Sequence, residues 1–549
     1  MTDRNKLLAM QLALVLGVCY FFFFFGLGAF GLTGADEPRY AQIAREMLGR
    51  HDWIVPTLNG SPWLEKPALL FWKMMNSYSI FGVSDWAARI PAAVHATAVV
   101  VGIFFFMRRF RFASELDAAM IAASSAGMIG FGRGASTDML VSAPFALAMM
   151  CWWTWHQTPK KLWLLLFYGL LGIGALAKGP VAPALAVLVV GGYAVLRRDG
   201  KIFVRSLSVT GFLLFAAIVL PWYLAVQHKV PQFFRVFFIE HNLERFGTNL
   251  YQHSQPFWYY IPVFILAALP WTWFTITALV ESIWTSIQRF RRKESFDEEN
   301  SGFRLFLLVW IFVPIVFFSI SRAKLPGYIL PAVPGAAILT ADFLHVRWEP
   351  LSVRFRWLPR LLIALHALLC AMLMVGALMA PFAMAKLAPP PALQIGMTVT
   401  GALIAVMVLL MVRREGVRVL HFVTLVPTIL AVAFLLRPAA ATIDRTQSAR
   451  PVNQRLAELG VAASDPVASF NVKRQVAYGL DFYRNQPISH YEQEGPLDMP
   501  SGIPSGRHVV VAREGSLGAV QAVAGDREVK SIGTFPPQHL EFFVVSAAK

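Results

Sequence analysis

The chain has 549 residues, of which 56% are hydrophobic and only 15% charged. Soluble globular proteins are about 45–50% apolar and about 25% charged, so this composition excludes most soluble folds, and its hydrophobicity excludes disorder. The net charge of +17 would suggest nucleic acid in a soluble protein, but in a membrane protein it reads as loop topology, and no nucleic-acid partner is expected.

In chain order, residues 7–35 carry no charge. A membrane span needs about 20 apolar residues, whereas the core of a signal peptide has about 7–15, so this run is predicted to be a retained first span. Similar segments follow at 90–107, 116–132, 138–155, 163–177, 179–196, 206–226, 257–282, 304–320, 326–344, 361–381, 391–412 and 417–436. The fold class is therefore a polytopic α-helical membrane protein of about thirteen transmembrane helices, placed at 1–439. The three cysteines, Cys19, Cys151 and Cys370, lie within these segments and have no metal-ligand spacing.

With the N-terminus inside, the basic clusters around Arg108–Arg111, Arg197–Arg205, Arg289–Lys293, Arg347–Arg360 and Arg413–Arg418 all fall on the cytoplasmic side, as the positive-inside rule requires. The other side receives a long first loop (31–89), a second one (227–256) and the tail from 440 to 549. In that tail polar residues return. Short β-rich runs at 467–472, 508–512 and 541–546 alternate with helix-like stretches at 452–459 and 516–524, which reads as a small soluble α/β domain.

Long loops on one face mark where chemistry is done. The first opens Asp36-Glu37-Pro38-Arg39-Tyr40. Asp36 fits equally well as a helix N-cap, with Pro38 in the first turn, and as a catalytic carboxylate. Tyr40, Ile43 and Met47 form an apolar stripe, giving an amphipathic helix on the membrane surface, while Glu37 and Arg39 have a simple reading as solvated charges. Further on, Pro67 holds Glu65-Lys66 extended. Their side chains then point apart and no ion pair is expected, so an anionic lipid headgroup is the natural partner for Lys66.

Arg133, Asp138, Lys178, Arg322 and Lys324 stand at the outer ends of spans. Each basic residue alone reads as snorkelling. Together with Arg39 and Lys66 they suggest a convergent anion site, since charges beside spans tend to face a cavity. Tyr328 in the Pro-rich stretch 321–334 reads either as a cavity hydroxyl or as an interface tyrosine. The second loop holds His228, Arg235, Glu240, His241, Glu244, Arg245 and His253. Glu65 with His253 is the pair expected to hold a divalent cation such as zinc, although the spacing fits no compact metal motif.

With these residues in view, the chain resembles the GT-C class of membrane glycosyltransferases. Within that class it is similar to the bacterial lipid A 4-amino-4-deoxy-L-arabinose transferases and to their protein O-mannosyltransferase relatives. The matching stretches are Asp36-Glu37-Pro38-Arg39-Tyr40-Ala41, the 49–72 segment with Asp52-Trp53-Ile54-Val55-Pro56 and Glu65-Lys66-Pro67, and Ser321-Arg322-Ala323-Lys324-Leu325-Pro326-Gly327-Tyr328-Ile329-Leu330-Pro331. The resemblance covers the membrane region; for the C-terminal domain only position and size correspond. It implies an inner-membrane, multi-pass enzyme with a periplasmic site. The implied donor is undecaprenyl phosphate-linked aminoarabinose, the implied acceptor a lipid A phosphate, and the implied outcome resistance to polymyxin and cationic peptides.

The resemblance also maps the catalytic aspartate onto Asp36. The expected site is Asp36, Lys66 and Asp138 in catalysis, with Arg39, Tyr40, Glu65, Arg133, Lys178, Arg322, Lys324 and Tyr328 binding substrate. Two alternatives stand beside it. One is a transferase for another polyprenyl-linked sugar or for a protein acceptor. The other is a lipid-linked sugar flippase, which fits less well because transporters commonly carry internal repeats and none is visible here.

Overall fold

The computed structural model describes residues 3–244, 255–297, 299–491 and 499–548. Each of the thirteen apolar segments is largely helical. Among the described residues, nine helices are long and apolar enough to cross a membrane, from Asp3–Phe24 to Val417–Leu436. Where the sequence suggested one uninterrupted span, two are broken. Residues 116–132 form Glu115–Ser124 and Ala126–Gly132, parted at the extended Ser125. Residues 257–282 divide into Tyr260–Ala267 and Thr272–Arg292 on either side of Pro270. A proline cannot supply the N–H that helix continuation requires.

The first span ends at Phe24 in a turn of π-helix, not at residue 35. Residues 26–35 instead run as irregular chain under the C-terminal domain. The first loop then folds into two helices, Asp36–Gly49 and Leu69–Phe81, joined by a two-stranded hairpin at Asn59-Gly60. The stripe of Tyr40, Ile43 and Met47 is buried in protein. It packs on Leu69–Phe81 and on the C-terminal helix Arg474–Arg484, so the expected membrane-surface helix is an internal one.

On the face opposite the loops, one of the basic clusters is partly structural. Arg111 and Arg304 both bond the fully buried Asp342, at 2.6 and 2.7 Å. Burying a carboxylate is tolerable only when it is paired in this way.

The C-terminal unit is a five-stranded mixed sheet. Its order is Ser489–His490, Val467–Phe470, His508–Arg513, Leu540–Val545 and Val529–Phe535. The first three strands are parallel and the last two antiparallel to their neighbours. Three strands and two helices match the sequence expectation; Val529–Phe535, Ser489–His490 and the helix Arg474–Arg484 were not foreseen. That helix docks the sheet onto the first loop. Tyr483 donates to Asp85 (2.7 Å) and accepts the Leu32 N–H (2.7 Å). Arg450 bonds Asp85 and Asp444, and Asp444 in turn accepts the Gly31 N–H. A Cβ at Gly31 would lie 2.2 Å from Ser448 Oγ, which explains the glycine at this close approach.

Candidate active site

Adjacent carboxylates of the first loop meet opposite fates. The helix begins at Asp36, and Ala35 takes the cap position without a side-chain cap bond. Asp36 is therefore not the N-cap, and its side chain is 51% exposed against 11% for Glu37. Glu37, expected to be solvated, is wholly engaged. Arg89 grips it through Nε (3.0 Å) and Nη2 (2.7 Å), and the backbone N–H groups of Thr33 and Ala135 donate to it at 2.7 Å. Burial pushes the Glu37 carboxyl up, but the Arg89 charge and these donors together hold it below the ordinary carboxylate range.

Arg89 uses its three remaining N–H donors on the carbonyls of Leu27, Phe30 and Gly31. The pair thus staples the chain that leads into Asp36. An arginine one turn into an apolar span, well before the basic residues that end it, was the available signal for it.

Arg39 is also largely enclosed, not solvated, with its side chain 11% exposed. It donates to Asp36 Oδ1 at 2.7 Å, and its guanidinium lies 5.3–5.4 Å from the rings of Tyr40, Trp63 and Tyr478. Three aromatic faces fix the guanidinium, and the guanidinium fixes Asp36. Tyr478 comes from the C-terminal domain, a contribution no sequence pattern announced. Tyr40 is packed against Trp63 and Phe71, and Asp36, Glu65 and Asp138 all act electrostatically on it.

On the far wall, Asp138 sits in the first turn of Thr137–Gln157 and Lys178 in the last turn of Lys161–Lys178. Each complements the helix dipole there, and they pair at 2.5 Å. Lys178 also stands 4.4 Å from the Tyr328 ring. Tyr328 lies on the 3₁₀ turn Pro326–Ala332. A Cβ at Gly327 would lie 2.4 Å from Asp138 Oδ2 and 2.8 Å from Phe131, so only glycine lets the turn press on that carboxylate.

Several expectations need correcting. Lys66 and Glu65 do pair, with Nζ 3.9 Å from Oε2 and donating to the Glu65 carbonyl at 3.2 Å; the proline-extended backbone leaves the long lysine free to curl back. Arg133 does not join the cluster through its Nη1 and Nη2 atoms, which donate to the Phe22 and Phe25 carbonyls that end the first span. Lys324 is buried and bonds the Ser321 carbonyl at 2.5 Å. Both of these cations satisfy carbonyls freed where helices stop. Arg322 is exposed, with no ion pair among the described residues. His253 lies outside the described residues, and so does Arg245. Among the described residues no group of three or more His, Cys, Asp or Glu converges as a metal site.

The overall shape matches the crystal structure of ArnT from Cupriavidus metallidurans bound to undecaprenyl phosphate. The TM-score is 0.77 at 22% identity, covering 98% of each chain. The apo form of that protein matches at 0.76 and 21%, over 99% of this chain and 98% of that one. The chain has the GT-C fold. In sequence, residues 11–237 match the dolichyl-phosphate-mannose-protein mannosyltransferase family. Relatives named undecaprenyl phosphate-alpha-4-amino-4-deoxy-L-arabinose arabinosyl transferase include that of Serratia proteamaculans, 31% identical over 62% of this chain and 60% of its own. That of Yersinia enterocolitica is 32% identical over 56% and 54%. The matched region thus spans a little over half the length of these relatives.

Proposed function

We propose that the chain is a glycosyltransferase moving 4-amino-4-deoxy-L-arabinose from undecaprenyl phosphate to a phosphate of lipid A. We place it in the bacterial inner membrane with residues 1–439 as the membrane domain. The site and residues 440–549 face the periplasm. The observation that carries the reading is the half-exposed Asp36, held by Arg39 between aromatic faces beside Tyr40, on which Glu65 and Asp138 also act electrostatically.

In the transfer, the bond between the sugar C1 and the donor phosphate oxygen breaks, and its electron pair leaves with undecaprenyl phosphate. An oxygen of the acceptor phosphate forms the new bond to C1. A phosphate monoester has its second ionisation near 6, so it is already a nucleophile at neutral pH and needs no base. Asp36 is then assigned to stabilising positive charge on the sugar, as it develops at C1 or stands on its ammonium group. Lys66, Lys178 and Arg322 offset the repulsion between two phosphates brought to one carbon. Tyr328 forms a wall of the sugar pocket, and Tyr40 supports Arg39 from behind.

The test is expression in a strain that makes the aminoarabinose donor but lacks its transferase, with lipid A read by mass spectrometry. An aminoarabinose increment and a gain of polymyxin resistance are expected. A well-inserted protein that gives no increment overturns the reading in favour of another sugar or acceptor.

A further inference from the structure

A cavity of about 730 Å³ lies between the C-terminal sheet and the ends of two membrane-proximal helices. Lys386, just past the helix Leu358–Met384, and Arg445, on Ala440–Gln447, form one wall. Lys473, Arg513 and His539 form the other. Among the described residues no carboxylate lines it. The nearest partners are accounted for: Asp444 is held by Arg450 and the Gly31 N–H, and Glu514 lies 3.9 Å from His539. Among the described residues none of the four Lys and Arg side chains makes an ion pair.

The walls are fixed. Gln538 Nε2 donates to the carbonyls of Arg445 (2.9 Å) and Ser448 (2.7 Å), tying the sheet to the helix below it. Lys473 is the N-cap of Arg474–Arg484, so that helix's positive end also faces the cavity. Met384, the last residue of a membrane-spanning helix, is part of the lining, so the mouth opens at the membrane surface.

We propose that this cavity binds a phosphate monoester carried on a membrane lipid. A dianionic headgroup matches four converging cations, whereas a singly charged phosphodiester leaves most of them uncompensated. The site is joined to the candidate active site by one rigid element. Lys473 precedes the helix whose Tyr478 packs on Arg39, about 7.5 Å of helix rise further on. Its role rests on the function proposed above: it holds a second phosphate of the acceptor while the first reacts beside Asp36.

The test titrates detergent-solubilised full-length protein with bisphosphorylated lipid A, phosphatidylglycerol or inorganic phosphate, reading bound species by native mass spectrometry. Lys473→Gln/Arg513→Gln is expected to weaken lipid A binding about tenfold or more, and Lys386→Gln/Arg445→Gln on the opposite wall to do the same. All four side chains are exposed, so folding is expected to be unaffected. Unchanged lipid A affinity in both variants overturns the proposal. Phosphatidylglycerol bound as tightly as lipid A overturns it in favour of general headgroup anchoring, and variant-sensitive binding of inorganic phosphate alone overturns the lipid source. Variant-sensitive lipid A binding in a wild-type protein that transfers no sugar leaves this site standing and removes the proposed function.

Discussion

Glu37→Ala is expected to unfasten the first loop while leaving Asp36 in the sequence. The substitution strands the Arg89 guanidinium, which is buried and loses two of its five bonds. Removing one partner of a buried ion pair costs about 3–5 kcal/mol. The N–H groups of Thr33 and Ala135 also lose their acceptor, at about 1–3 kcal/mol for each buried orphan, though the terms do not simply add. A loss of at least about 3 kcal/mol is therefore expected. It is read as earlier thermal unfolding in detergent and faster proteolytic cleavage of residues 26–60.

The pH dependence follows from the same pair. Because the Glu37 carboxyl is held below its ordinary value, its contribution is fully present above about pH 4.3. It is lost as pH falls through the lower folded-state value. Wild type is expected to lose stability on acidification below that range, and Glu37→Gln to show a flatter profile. A Glu37→Ala protein that unfolds and is cleaved like wild type refutes the staple.

Gly327→Ala is expected to displace the Asp138–Lys178 pair, because its Cβ would overlap Asp138 and Phe131. Transfer activity should fall while thermal stability changes little, and wild-type turnover would contradict this. Lys66→Ala is expected to weaken donor-phosphate binding, seen as a raised KM for the undecaprenyl-linked donor; an unchanged KM and kcat would remove Lys66 from the site. Tyr483→Phe leaves the buried Leu32 N–H without its acceptor and Asp85 with Arg450 in place of two donors. It should destabilise the docked domain by about 1–3 kcal/mol, measured as protease release of the C-terminal unit.

Much of the membrane architecture was legible because apolar run length is a local property, and so was the α/β character of the tail. Span ends were less so. The first span stops at Phe24 because residues 26–35 find partners in Asp444 and Tyr483, more than 400 residues away in sequence. The site was half legible. Asp36 pairs with Arg39 and Asp138 with Lys178, but their roles diverge by neighbours that no local pattern reveals. Glu37 and Asp36 are adjacent and chemically alike, and only the position of Arg89 makes one structural and leaves the other open. Arg133 and Lys324 look like site cations in sequence, yet helix ends nearby offer carbonyls that need donors. Tyr478 was invisible because it arrives from a helix more than 400 residues further along the chain.

The most direct measurement compares purified wild type with Asp36→Asn, using undecaprenyl phosphate-linked aminoarabinose and lipid A and following product by mass spectrometry. The expected result is transfer by wild type only, with equal thermal stability in the two proteins, since Asp36 is half-exposed and its side chain makes one hydrogen bond among the described residues. Near wild-type transfer by Asp36→Asn would contradict the central role of that carboxylate.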